Sequence, residues 1–78
     1  MEQRFLQLSD VAEILNISAS QTYALVRHNE LRAIKIGGRG QWRVERSELE
    51  AYIQRAYSDT EAFIRANPLG RDETPPTD

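Results

Sequence analysis

With 78 residues, no cysteine and one histidine, the chain has room for a single small domain and lacks the donors for a disulfide framework, a thiolate metal site or a cysteine nucleophile. The formal charge of −2 conceals a polarised distribution: six basic residues between Arg27 and Arg46 face only Glu30 and Glu45, whereas five acids from Ser58 onward face only Arg65 and Arg71. No apolar run approaches the roughly 20 residues of a membrane span, and MEQRFLQLSD lacks a signal-peptide core, so a cytoplasmic protein is expected.

Taken in chain order, Ser9 reads as an N-cap for a first helix from Asp10 to about Leu15, with Val11, Ala12 and Leu15 on one face. Asn16-Ile17 forms a short connection. Ser18 reads as a second N-cap, and a helix follows from Ala19 to about His28. Thr22, Leu25 and Val26 share its apolar side; Ser20, Gln21, Ala24 and Arg27 share the other, with Tyr23 at the border. His28 is a helix-end residue. Asn29 tolerates the left-handed conformation that a helix stop requires. Two short helices joined by a tight turn make a helix-turn-helix unit.

The period then changes from 3.6 to 2. Ala33–Ile36 and Gln41–Val44 alternate as strands, and Gly37-Gly38-Arg39-Gly40 joins them as a turn able to adopt positive φ. This hairpin is expected to turn Ile34, Ile36, Trp42 and Val44 to the core, and Lys35, Gln41 and Arg43 outward. Glu45-Arg46-Ser47-Glu48 opens a third helix carrying Leu49, Tyr52, Ile53 and Ala56. Ser58-Asp59-Thr60-Glu61 fits a capping box and predicts a separate fourth helix to about Ala66, stopped by Asn67-Pro68. The domain is therefore expected over residues 1–67, with 68–78 as a disordered acidic tail.

The stretch LQLSDVAEILNIS-x-S-x-x-Y-x-LV, followed by NELRAIKIGG-R and WRVERSELEAYI, resembles the DNA-binding domain shared by excisionases and small MerR-like regulators. The resemblance covers about residues 5 to 56. It implies a mainly α fold with a small β-hairpin, a winged helix-turn-helix. Members often carry basic residues where this chain has Ala19 and Ala24, and a glycine where it has Asn29. The implied partner is double-stranded DNA, with no cofactor, no metal and no small-molecule effector.

On that reading, helix two lies in the major groove. Ser18 and Ser20 offer hydroxyls near a phosphate, Gln21 reads a base edge as a bidentate partner of adenine, Tyr23 stands at the border and Arg27 meets a phosphate, or a guanine where the helix penetrates deeply. Arg39, at the glycine-flanked tip of the wing, enters the minor groove or clamps the backbone. Lys35, Gln41 and Arg43 line the outward face of the hairpin. No paired carboxylates, Ser-His-Asp order or phosphate loop argue for catalysis, because the GGRG turn joins two strands rather than opening a helix. The expected function is sequence-specific DNA binding by a bacterial transcriptional regulator. The alternatives are an excisionase that steers an integrase and, from another class, a winged helix that docks a protein. Since one such domain covers little DNA, two copies are expected to act together, as a dimer through Tyr57 and Phe63 or head to tail.

Overall fold

The computed structural model describes residues 3–68. The acidic tail expected over 68–78 lies, from residue 69 on, outside them. Among the described residues the order is β1 (Phe5–Gln7), α1 (Leu8–Leu15), α2 (Ala19–Arg27), β2 (Ile34–Ile36), β3 (Gln41–Glu45) and α3 (Arg46–Ala66). The three strands form one antiparallel sheet in the order β1-β3-β2. Three helices against a small sheet with a glycine-rich hairpin make the winged helix-turn-helix.

Strand β1 is absent from the sequence reading, and it moves the start of α1. Phe5–Gln7 pairs with Glu45–Arg43, so the chain passes from strand into helix at Leu8 with no room for a cap at Ser9. Gln7 is the cap residue instead, and its backbone N–H donates to the Asp10 carboxylate at 2.9 Å. At the other end of β1, the Arg46 N–H donates to the Arg4 carbonyl at 2.8 Å, which anchors the first turn of α3 to the same strand.

The turn of the helix-turn-helix forms as the residue types demand. Asn16 closes α1 at φ 57°, and the Ile17 N–H reaches back to the Ala12 carbonyl at 3.0 Å. Ser18 then caps α2: its Oγ accepts the Gln21 N–H at 3.1 Å. Asn29 is the second left-handed residue, again at φ 57°, and lets the Glu30 and Leu31 N–H groups bond the Leu25 carbonyl at 2.9 and 3.1 Å. Asparagine accepts this conformation because its short polar side chain compensates locally for the Cβ crowding that deters other L-residues.

The core is small: Leu6, Val11, Val26, Leu31, Val44 and Leu49 are buried, with Leu8, Leu15, Leu25, Ala33, Trp42, Tyr52 and Ile53 packed around them. Thr22 is fully buried as well, and its hydroxyl donates to the Ser18 carbonyl at 3.0 Å, so no bare polar atom enters the core.

The hairpin departs from expectation in one strand. Ile34 pairs with Arg43, Lys35 with Trp42 and Ile36 with Gln41. Directly opposed residues share a face. Trp42 and Val44 do turn inward, opposite Lys35 and Leu6, but Ile34 and Ile36 turn outward with Gln41 and Arg43 and are 48% and 46% exposed. Lys35 therefore lies on the inner side, not beside Arg43. The alternation in Ala33–Ile36 is that of a strand, in the phase opposite to the expected one. A one-residue shift of phase exchanges the faces of every side chain.

The expected fourth helix is the continuation of α3, which runs unbroken through 21 residues, about 31 Å of helix. No glycine or proline interrupts Arg46–Ala66. A serine caps a helix only where it adopts extended backbone, and inside this run Ser58 stays helical. Asn67 ends the helix, as expected. Beyond Ala56 the helix leaves the core, and Tyr57, Phe63 and Ile64 are exposed.

Candidate nucleic-acid interface

The basic side chains sort by what already holds them. Arg4 pairs with Glu45 at 2.8 Å and Arg32 with Glu48 at 3.3 Å. Arg43, Arg46 and Arg55 donate to backbone carbonyls of Trp42, Gln3 and Glu30. Arg27 and Lys35 lie instead over aromatic rings, and Arg39 makes no hydrogen bond or ion pair among the described residues.

Arg27 and Lys35 are the two ends of one ladder. The Arg27 guanidinium is 6.0 Å from the centre of the Tyr23 ring. Tyr23 meets the edge of Trp42 at 6.5 Å with an interplanar angle of 76°. The Lys35 ammonium is 5.9 Å from the Trp42 ring. Two rings thus connect α2 to the wing and carry a cation at each end. Contacts of this kind are worth about 0.5–1 kcal/mol each on a surface. They restrict where the cations stand while leaving their charge uncompensated by any carboxylate among the described residues.

The wing is shaped around Lys35. Gly37 and Gly40 adopt φ 70° and 69°, which fits the hairpin turn. A methyl group added at Gly40 would lie 2.8 Å from Lys35 Cε, so the lysine stem crosses this glycine on its way to Trp42. Arg39 is the exposed residue next to that crossing.

Of the residues expected to touch DNA, Ser18, Ser20, Gln21, Tyr23 and Arg27 lie together on the exposed side of α2 and its cap. Lys35 joins them through the ladder, and Arg39 stands at the wing tip. Gln41 and Arg43 are separated from this group, because the register turns them to the opposite face of the sheet. Ser18 and Gln21 are also mutually engaged: the Ser18 N–H donates to Gln21 Oε1 at 3.1 Å. Ser20 Oγ lies 3.3 Å from Ser18 Oγ. Trp42 packs against the core, as expected. It is half-buried and bridges the two cationic elements, which the Lys35–Trp42 register alone would have shown.

Among the described residues, no helix is long and apolar enough to cross a membrane. No curated protein matches the chain, and no solved structure does. A family model described as a helix-turn-helix domain matches residues 5–57, a span that begins at β1 and ends just past the middle of α3, enclosing the core, both helices of the turn and the wing. With well over half of its residues inside that match and the excisionase-like pattern of residues along it, the chain belongs to the helix-turn-helix domain family.

Proposed function

We propose that this protein is a cytoplasmic, non-catalytic, sequence-specific binder of double-stranded DNA that acts as a transcriptional regulator without a small-molecule effector. The polar side of α2 would enter the major groove, with Arg27 on a phosphate. Arg39 would reach the minor groove or the backbone, and Lys35 would neutralise a phosphate between them. The observation that carries this reading is the Arg27–Tyr23–Trp42–Lys35 ladder, which holds two cations without an ion pair among the described residues at the junction of recognition helix and wing. Gln41 and Arg43 would contribute only if the duplex also meets the far face of the sheet. An excisionase would use the same surface.

The test is a titration of fluorescein-labelled duplex followed by anisotropy. Binding at low ionic strength that weakens steeply as salt is added is expected, because each neutralised phosphate releases counterions. Salt-independent binding, or none at low salt, would refute the reading and favour protein docking, for which the apolar end of α3 offers a surface.

Two copies acting together remain part of the proposal, since one domain buries too little DNA surface for selectivity. Tyr57, Phe63 and Ile64, 65%, 48% and 56% exposed, continue the apolar stripe of Leu49, Ile53 and Ala56 along α3 beyond the core. A footprint spanning at least two adjacent half-sites is expected. Phe63→Glu should shrink it to one half-site without lowering the melting temperature, because this side chain lies outside the core. Single-site protection by the unmodified protein at saturation would exclude joint binding.

A further inference from the structure

The side-chain amide of Gln21 is committed at one end and open at the other. Oε1 accepts from the Ser18 backbone N–H at 3.1 Å and from the Ser18 hydroxyl at 3.3 Å, which engages both of its lone pairs, while the Gln21 N–H donates to that same Oγ at 3.1 Å. A backbone N–H only donates, so the amide atom facing it must be the oxygen. Nε2, with two N–H groups, bonds nothing among the described residues, and the side chain is exposed.

Resting on the reading of α2 as recognition helix, we propose that Gln21 reads DNA as a donor alone and selects guanine. In the major groove guanine offers two acceptors, N7 and O6, whereas adenine offers one acceptor and the N6 amino donor. The familiar bidentate pairing of glutamine with adenine needs the amide oxygen to accept from N6. Here that oxygen belongs to the capping box. Freeing it would surrender one arm of the cap, a loss equivalent to about a fivefold penalty in affinity. Pairing with guanine leaves the cap intact and uses both free N–H groups. Ser18 therefore sets the base preference without touching a base. The adenine preference expected from the residue type alone is reversed by the orientation that the cap imposes.

The experiment uses the full-length chain and in-vitro selection of bound duplexes, repeated with Gln21→Glu. Glutamate keeps the oxygen that caps Ser18 but has no N–H to donate, so the helix is retained, as a thermal melt will verify. The unmodified protein should select guanine over adenine by about fivefold or more at one position, and Gln21→Glu should abolish that preference there while leaving the other positions unchanged. Replacing that guanine by 7-deazaguanine should weaken the unmodified protein several-fold and leave the variant unaffected. Selection of adenine at the Gln21-dependent position overturns the proposal. So does salt-dependent duplex binding in which no position responds to Gln21→Glu; this second outcome leaves the DNA-binding reading standing. Failure of the unmodified protein to bind any duplex overturns both.

Discussion

Leu31→Ala is expected to bring this protein to the edge of unfolding at room temperature. Leu31 is fully buried at the point where the chain leaves the left-handed cap of α2 and turns toward β2, and it belongs to the core cluster with Val11, Val26 and Leu49. Its own N–H is tied to the Leu25 carbonyl, so the backbone has little freedom to collapse into the vacated space. Truncating a buried leucine to alanine costs about 2–5 kcal/mol, from lost transfer energy and from the cavity. A domain this small has a total stability near the low end of the usual range of about 5–15 kcal/mol. The melting temperature should fall by roughly 10–30 °C, measured by far-ultraviolet circular dichroism and by the fluorescence of Trp42, the single tryptophan. Ile14→Ala, at a half-exposed position on α1, is the control and should shift it by only a few degrees. If both variants melt alike, Leu31 is not the centre of the core.

Arg27→Ala combined with Arg39→Ala should remove most of the salt sensitivity of DNA binding while leaving the fold standing. With Arg27, Lys35 and Arg39 each neutralising one phosphate, the logarithm of affinity per bound copy should fall against the logarithm of salt concentration with a slope of about −2.7. Between 50 and 200 mM salt this is a loss of about 40-fold. The double variant retains Lys35 alone, so its slope should approach about −0.9 and the loss about threefold to fourfold. Its stability should change by no more than about 1 kcal/mol, because Arg39 has no intramolecular partner among the described residues and Arg27 gives up only an exposed contact with Tyr23. An unchanged slope in a folded double variant would remove these two arginines from the phosphate contacts. A slope that disappears entirely would mean that Lys35 depends on them for its own contact.

The position of Lys35 gives this second prediction an internal check. The sequence placed it on the outer face of the wing with Arg43, and there it would have acted independently of α2. Pairing with Trp42 puts it on the inner face, at the end of a ring-to-ring path that starts at Arg27. The two cations are therefore mechanically linked through Tyr23 and Trp42, even though they lie on different elements.

Local chemistry was enough to read the helix-turn-helix and the wing from the residues themselves. Ser18 caps α2, Asn29 takes the left-handed turn, the glycines flank Arg39, and Glu45–Glu48 opens α3. Each of these depends on the backbone preferences of one residue or on a hydrogen bond spanning three or four. Of the three features that the sequence did not disclose, two depend on partners distant in the chain and the third on the continuity of a helix. Strand β1 is only Phe-Leu-Gln, and it is a strand because β3 supplies its hydrogen bonds from about 40 residues away. The outward turn of Ile34 and Ile36 follows from the β2–β3 register, in which the half-buried Trp42 claims the inner face and carries Lys35 with it. The union of the last two expected helices follows from an unbroken ladder of backbone bonds through Ser58, against which a local capping motif has no hold. Residue type and short-range spacing thus determined the two helices of the turn, the wing and the start of α3, and where most of them stop. Which face each element shows, and which cations it brings together for a ligand, was decided by long-range pairing, because alternation along a strand specifies two faces without saying which of them is inside.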